Sequence, residues 1–379
     1  MRGETGGRGF RHMMKNQSKS SKIFQAALFA LSLALLAYFC ISGNNLVVLI
    51  NSIPTLNLFW LLGAAGCVAF SWAMDAMVIK SLVCHAYESD YGYIHAFKVT
   101  MVGQYFNSVT PYAVAGQPMQ LVSLIRQGVS SGIAISTLVR KFLVYQTTIT
   151  CFSLVVILIR YGFFRSQFQG FMALAFIGFL YQAASVILLL LFTYSPKFTT
   201  RLIDGVVWLL TKIHLIKNPE EAEKKVRDQL NFYLENNTAM KGNRLLNIRI
   251  YGCTFMQLIS MFSVPFFIYK AFHNPGAPFF DMIAAQSFVT MISSYTPLPG
   301  AAGAAEGSFL IIFQIFFKPS IITQAMLLWR LLAYYSCIAV GAFFAGFDKR
   351  REKMELKHQT EHSSQVDSPA ENGGTTNES

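Results

Sequence analysis

Five ionisable side chains lie inside long apolar stretches of this sequence, where burying a charge is costly and usually serves a function. They are Asp75, Arg140, Lys141, Glu306 and Arg330. Because opposite charges tend to pair at this depth, we expect Glu306 to pair with Arg330, and Asp75 could likewise compensate Arg140. Lys141 is expected to extend its ammonium group to the membrane interface. Each group could be purely structural, but the two arginines are also suited to bind a phosphate, and Glu306 could bind a cationic headgroup.

Two further segments, 97–127 and 281–317, are apolar but interrupted midway by proline and glycine. Non-helical backbone at membrane depth is tolerated only where it is buried in protein or lines a wet cavity. We therefore predict that both segments are re-entrant hairpins. The residues expected to shape them are Pro111, Gly116, Pro297, Pro299, Gly300 and Gly303. The uncharged residues expected to contact a substrate are Asn107, Thr110, Gln117 and Thr296, with further amides at Gln104 and Gln120.

The two broken segments share a motif and a similar sequence after it. Ser-x-Thr-Pro occurs at 108–111 and again at 294–297, each time followed within six residues by glycine. The next apolar run then carries an arginine and, five residues later, a tyrosine: Arg140 with Tyr145, and Arg330 with Tyr335. Three predicted spans separate the hairpins, so the hairpins should enter from opposite faces as an inverted repeat around a midplane substrate site. The alternative is that proline and glycine only permit close helix packing.

The composition indicates an all-α polytopic membrane protein. Of the 379 residues, 53% are hydrophobic and only 13% are charged, which is too little charge for the surface of a soluble protein of this size. Apolar runs of membrane-spanning length predict six full transmembrane helices in addition to the two hairpins. They lie at about 23–42, 56–80, 132–159, 168–193, 248–272 and 321–347.

The net charge of +12 is concentrated in three regions that flank the spans. We expect a basic arm at 1–22, a transmembrane domain at 23–347 with a basic loop at 194–247 that holds an amphipathic helix, and a disordered tail at 348–379. The positive-inside rule then places both termini in the cytoplasm, and only Arg160 and Arg165 fall on the opposite side. These basic flanks are explained by lipid headgroups, without a nucleic-acid partner.

Motifs for other chemistries are missing from the sequence. It has no glycine-rich nucleotide loop and no nucleophile elbow, and its seven histidines and six cysteines show no metal-ligand spacing. We therefore expect no cofactor, no metal and no catalytic residue.

Two motifs resemble the lysylphosphatidylglycerol synthase transmembrane family. They are Thr-Pro-Tyr-Ala-Val-Ala-Gly-Gln-Pro-Met-Gln at 110–120 and Thr-Pro-Leu-Pro-Gly-Ala-Ala-Gly-Ala-Ala-Glu-Gly at 296–307, and the resemblance covers about 23–347. One departure is Ala115, where relatives often carry a second glycine. The resemblance implies a flippase-like membrane region. Full-length relatives join it to a cytosolic domain that transfers lysine from lysyl-tRNA to phosphatidylglycerol, and the polar tail here shows no counterpart of that domain.

Three functional hypotheses follow from the residues and the resemblance. The first is a flippase in the cell membrane that moves a lysylated or unmodified phospholipid between leaflets, which would confer resistance to cationic peptides. The second is a phosphatidylglycerol lysyltransferase, for which lysyl-tRNA would be the only nucleic-acid partner. The third is a non-transporting membrane scaffold. The expected partners are an anionic or aminoacylated phospholipid and the membrane, and a homo-oligomer is compatible with the sequence.

Overall fold

The computed structural model describes residues 53–87, 90–167, 169–194, 201, 243–294 and 296–346. All regular secondary structure in these ranges is helical. In chain order the helices are α1 (Leu58–Tyr87), α2 (Tyr93–Val109), α3 (Gly116–Arg126), α4 (Ser131–Gln167), α5 (Gln169–Tyr194), α6 (Arg244–Ala271), α7 (Phe279–Ser293), α8 (Ala304–Phe313) and α9 (Ile322–Gly346). The all-α polytopic fold expected from the sequence is confirmed.

Five of these helices, α1, α4, α5, α6 and α9, are long and apolar enough to cross a membrane. They confirm the spans expected at 56–80, 132–159, 168–193, 248–272 and 321–347. Four other expectations lie outside the described residues. These are the first span at 23–42, the arm at 1–22, nearly all of the loop at 194–247 with its amphipathic helix, and the tail at 348–379.

The helices α1 and α6 form the most extensive pair in the described part of the chain, and they run antiparallel. The amide of Asn57, just before α1, donates to the carbonyl of Ala271 at the end of α6 (3.0 Å). At the other end, Leu82 of α1 packs in one buried cluster with Leu246 of α6. Asn243 begins α6 because its side-chain oxygen accepts a hydrogen bond from the first-turn amide of Leu246. This pair gives an axis against which the hairpins can be oriented.

Hairpin 1 consists of α2, a 3₁₀ turn at Pro111–Ala113, and α3, and its two arms pack closely against each other. Each arm carries a glycine and, four residues later, an amide: Gly103 and Asn107 on α2, Gly116 and Gln120 on α3. A Cβ on Gly103 would overlap the Gln120 side chain, and one on Gly116 would overlap Asn107. The arms therefore approach closely because each glycine leaves room for the amide of the other arm.

Hairpin 2 consists of α7, a 3₁₀ turn at Pro299–Ala301, and α8. Its second arm is anchored by aromatic packing, because Phe309 stacks on Phe313 (centroids 4.3 Å apart) and on Trp329 of α9 (5.0 Å). Just beyond α8, Phe317 meets the ring of Tyr269 near the end of α6 (5.2 Å). The end of the hairpin thus returns to the end of α6 from which its first arm started.

The two hairpins enter from opposite ends of α1. At the mouth of hairpin 1, the Cys84 thiol near the end of α1 donates to the carbonyl of Tyr91 (3.8 Å), and the hydroxyl of Tyr91 donates to Gln127 just after α3. At the mouth of hairpin 2, His273 just after α6 contacts the carbonyl of Thr55 just before α1 (3.0 Å). The helices α4, α5 and α6 lie between the hairpins in sequence, which agrees with this opposed arrangement. Burial raises the pKa of Tyr91, and Cys84 raises it further, so this hydroxyl stays a donor.

Candidate functional site

The tips of the two hairpins have the same backbone conformation. Both the Pro111–Ala113 and the Pro299–Ala301 turns have positive φ at their second and third residues, 52° and 54° in the first and 60° and 52° in the second. A non-glycine residue in this conformation costs about 1 kcal/mol or more, and such strain is concentrated at functional sites. The structure also corrects the repeat. Pro111 corresponds to Pro299 and not to Pro297, because the second Ser-x-Thr-Pro motif ends two residues before its turn.

Tyr334 joins the two tips at the centre of the protein. Its hydroxyl donates to the carbonyl of Ser108 in hairpin 1 (2.7 Å), and its ring lies where a Cβ of Gly300 in hairpin 2 would be. The repeat predicted Tyr335 as the counterpart of Tyr145, but Tyr334 makes this contact. The reason is a π-helical turn at Leu331–Tyr335, which has one residue more than an α-helical turn and so rotates the face of α9.

Glu306 and Arg330 form the ion pair expected from the sequence, and both are almost completely buried. Arg330 Nε lies 2.7 Å from Glu306 Oε1, although its N–H is not directed along that line. Nη1 donates to the carbonyl of Gly300 (3.0 Å), and the other Glu306 oxygen accepts from the amide of Gly303 (2.7 Å). Arg330 Nη2 has no hydrogen-bond partner among the described residues. The pair therefore ties α9 to the tip of hairpin 2 and to the start of α8.

The expected pairing of Asp75 with Arg140 is wrong. Asp75 Oδ2 instead accepts from Lys141 Nζ (2.7 Å) and from the hydroxyl of Thr100 (3.1 Å). Arg140 Nη2 donates to Asn247 Oδ1 of α6 (2.5 Å). Consecutive residues of a helix point about 100° apart, so on α4 it is Lys141 that contacts Asp75 of α1, while Arg140 contacts α6. Lys141 therefore does not reach the interface, and its side chain is only 15% exposed.

A cavity of about 460 Å³ lies where the two tips meet. Its wall combines aromatic and aliphatic groups with amides and hydroxyls, and no Asp, Glu, Lys or Arg of the described residues lines it. The polar lining includes Ser71, Gln104, Asn107, Ser108, Tyr145, Gln257, Thr290, Ser293, Ser294 and Thr296. The volume is within the range of small-molecule sites, about 300–1,000 Å³.

The candidate substrate residues are divided between this cavity and its supports. Asn107 and Thr296 line the cavity, and Asn107 Oδ1 is buried with no hydrogen-bond partner in the described part of the chain. Thr110 holds the break in hairpin 1, because its hydroxyl donates to Phe106 O (2.7 Å) and accepts from Ala115 N (3.3 Å). Gln117 is exposed at the start of α3. Arg140, Glu306 and Arg330 lie behind the cavity wall and not in it.

Sequence reasoning missed several lining residues. Gln257 is a single amide in the apolar run of α6, and Thr290 and Ser293 lie on one face of α7, three residues apart. That spacing places two hydroxyls together just before the hairpin break, which was the signal available. Ala115, where a glycine was expected from the family pattern, has a φ of −86°, so the first hairpin does not need glycine there. The described residues hold no group of three or more His, Cys, Asp or Glu placed to hold a metal ion.

The fold and the site together define a polytopic α-helical membrane protein whose two broken hairpins meet at a central cavity. The sequence model of the lysylphosphatidylglycerol synthase TM region matches residues 23–341, and the chain belongs to this family. It is similar to a UPF0104 membrane protein of Archaeoglobus fulgidus, with 25% identity over 345 residues that cover 88% of this chain and 96% of the relative. A UPF0104 membrane protein of Methanothermobacter thermautotrophicus is 23% identical over 265 residues, covering 69% of this chain and 77% of that protein.

Proposed function

We propose that this protein moves a phospholipid between the two leaflets of the cell membrane, with the lipid headgroup passing through the central cavity. The observation that supports this most is the meeting of two opposed hairpin tips over one polar cavity. Broken helices that converge from opposite faces are the architecture of transporters whose substrate binds near the midplane. In this arrangement both termini are cytoplasmic, as the basic flanks predict.

The headgroup contacts would come from uncharged groups in the cavity. Asn107 and Thr296 line it from hairpin 1 and from just before the tip of hairpin 2, and Gln257 lines it from α6. An amide both donates and accepts hydrogen bonds, so these groups can bind phosphate oxygens and glycerol hydroxyls alike. The buried and unpartnered Asn107 Oδ1 is the acceptor most in need of a ligand or a water molecule.

The charged residues would act from behind the wall. Arg330 binds the carbonyl of Gly300, and Gly300 itself lines the cavity. Its Nη2 group, which lacks a partner among the described residues, places a positive charge close behind the tip of hairpin 2. That charge would favour a phosphate in the cavity, while Glu306 holds the guanidinium in place and would oppose a net positive headgroup. Arg140, bound to α6, would attract the phosphate on the side of hairpin 1.

The experiment that tests this function is a leaflet-exchange assay in proteoliposomes. Purified protein is placed in phosphatidylcholine vesicles with a fluorescent phosphatidylglycerol, and dithionite quenches the outer leaflet. Wild type should raise the fraction of quenched lipid above the half that protein-free vesicles allow. Replacing Asn107 with leucine should slow this exchange about tenfold or more, because it removes a buried donor and acceptor worth at least about 1.4 kcal/mol. Cys151→Ala, at an exposed residue outside the lining, is the matched control.

The alternatives give different results in the same preparation. A lysyltransferase would form lysylphosphatidylglycerol from lysyl-tRNA and phosphatidylglycerol, and a scaffold would neither form that product nor exchange lipid. Formation of the product without leaflet exchange, or no activity of either kind from folded wild type, would contradict the proposal. Repeating the assay with fluorescent lysylphosphatidylglycerol measures which of the two headgroups is preferred.

A further inference from the structure

Asp75, Thr100 and Lys141 form a buried polar contact that joins three elements. Asp75 of α1 accepts through one oxygen from Thr100 of hairpin 1 (3.1 Å) and from Lys141 of α4 (2.7 Å). The Asp75 and Lys141 side chains are only 5% and 15% exposed, and Thr100 is fully buried. A carboxylate and an ammonium group at this depth are costly, so a function is expected of them.

This contact lies one helical turn below the cavity in each of the three elements. Ser71, Gln104 and Tyr145 line the cavity, and each lies four residues from Asp75, Thr100 and Lys141, respectively. Given the directions of α1, α2 and α4, each step of four residues leads towards the mouth of hairpin 1. Tyr145 also interacts electrostatically with Asp75. The contact therefore separates the cavity from the face at which hairpin 1 opens.

Buried hydroxyls continue from this contact towards the mouth of hairpin 1. Ser136 and Thr137 precede Lys141 by about one turn of α4, and Ser123 lies on α3. All three are at most 2% exposed, and their hydroxyl oxygens have no hydrogen-bond partner among the described residues. Their neighbours Leu124 and Leu138 belong to one buried cluster, which brings this part of α3 and α4 together. Buried polar groups without partners are usually satisfied by water, so a hydrated path here reaches the ion pair.

The ion pair of hairpin 1 is built to open, whereas the pair of hairpin 2 is not. In hairpin 2 both carboxylate oxygens of Glu306 are held, by Arg330 and by a backbone amide, and a guanidinium does not lose its proton. In hairpin 1 a single Asp75 oxygen makes both contacts, and one donor is a hydroxyl, which can equally well accept.

We propose that Asp75 carries protons between the mouth of hairpin 1 and the central cavity and so couples lipid movement to a proton gradient. A proton from water at the mouth binds the Asp75 carboxylate and gives a neutral carboxylic acid, while Lys141 stays protonated. The attraction between the two side chains is then lost, and the Thr100 contact that holds the first arm of hairpin 1 weakens. Release of the proton to water in the cavity restores the carboxylate and closes the gate.

The other titratable groups around Asp75 come from the elements packed against α1. They are Lys141 and Tyr145 on α4, Arg249 on α6, whose guanidinium contacts Met77, and Tyr334 on α9. The tyrosines are neutral near pH 7 and the two cations are charged, so Asp75 is the group whose protonation changes the charge of this layer.

This inference rests on the proposed lipid movement, and one experiment separates the two. Protein is placed in phosphatidylcholine vesicles that contain fluorescent phosphatidylglycerol and enclose a pH-sensitive dye, and lipid exchange and proton uptake are recorded with and without a gradient of one pH unit. For wild type we expect exchange to rise several-fold with the gradient, up to about tenfold, because proton concentration rises tenfold per pH unit. Proton uptake should accompany this exchange.

Asp75→Asn should abolish proton uptake and the response to the gradient. Because this variant leaves Lys141 buried without its partner, Asp75→Asn with Lys141→Gln is made as a second variant that removes both charges, and it should behave in the same way. The control is Asp281→Asn, which breaks an ion pair of the same length (Arg160 Nη2 to Asp281 Oδ1, 2.7 Å) at the opposite face and should respond like wild type.

The outcomes are distinct. Lipid exchange in wild type that ignores the gradient, or a folded double variant that still takes up protons, would overturn the gate and leave the proposed function standing. No lipid exchange under any gradient would refute both.

Discussion

Replacing Glu306 with glutamine removes the charge that balances Arg330 but keeps an oxygen for the amide of Gly303. Both partners of the pair are at most 5% exposed, so little water can take the place of the carboxylate. Removing one member of a buried ion pair costs about 3–5 kcal/mol, because the other charge remains buried. Glu306→Gln and Arg330→Met should therefore each lower the free energy of unfolding by about this amount.

The double variant separates this pairing from the other contacts of the two residues. It leaves no uncompensated charge and loses mainly the bond to the carbonyl of Gly300, about 1 kcal/mol. The double variant should thus be more stable than the sum of the single effects by about 3 kcal/mol or more. Unfolding by sodium dodecyl sulfate in mixed micelles, followed by tryptophan fluorescence and circular dichroism, gives the three values.

The control for this cycle is the Arg160–Asp281 pair, where the arginine side chain is 39% exposed. Water screens such a pair, so Asp281→Asn should change stability by no more than about 1 kcal/mol. Additive effects of Glu306→Gln and Arg330→Met would show that the two residues do not act as one brace, and the account of hairpin 2 would be wrong.

Three further predictions concern the hairpins and use the same unfolding measurement. Gly300→Ala should cost about 2–4 kcal/mol, because a Cβ adds left-handed strain and overlaps a ring, whereas Gly128→Ala, also at positive φ but with nothing within 4 Å, should cost only the strain, about 1 kcal/mol. Gly116→Ala should cost about 1–3 kcal/mol through overlap between the arms of hairpin 1, while Gly66→Ala, in open space on a helix, should be neutral or stabilise by up to about 1 kcal/mol. Tyr334→Phe should cost about 1 kcal/mol by removing the hydroxyl that links the tips, and comparable stability to wild type would argue against that link.

The sequence predicts the fold well because membrane-spanning length and helix breakers are local properties. Runs of about 20 apolar residues require spans, and Pro111 and Pro299 with the glycines after them prevent continuous helices where the breaks occur. The Glu306–Arg330 pair was also predictable, because these are the two opposite charges that follow the second break in an otherwise apolar stretch.

Contacts that depend on how helices rotate against each other could not be predicted. The choice between Arg140 and Lys141 as the partner of Asp75 depends on the rotation of α4, since adjacent residues face different helices. The choice of Tyr334 over Tyr335 depends on a π-helical turn that no residue pattern announced. The lining by Gln257 likewise follows from the packing of α6 and not from a motif.

The measurement that tests the opposed hairpins most directly is cysteine accessibility in intact cells. Single cysteines replace Asp90 at the mouth of hairpin 1 and Asn274 at the mouth of hairpin 2, in a background in which all six native cysteines are serine. With a membrane-impermeant maleimide, we expect the hairpin 2 position to react in intact cells and the hairpin 1 position to react only after permeabilisation. Labelling of both positions from the same side of the membrane would contradict two hairpins that open to opposite faces.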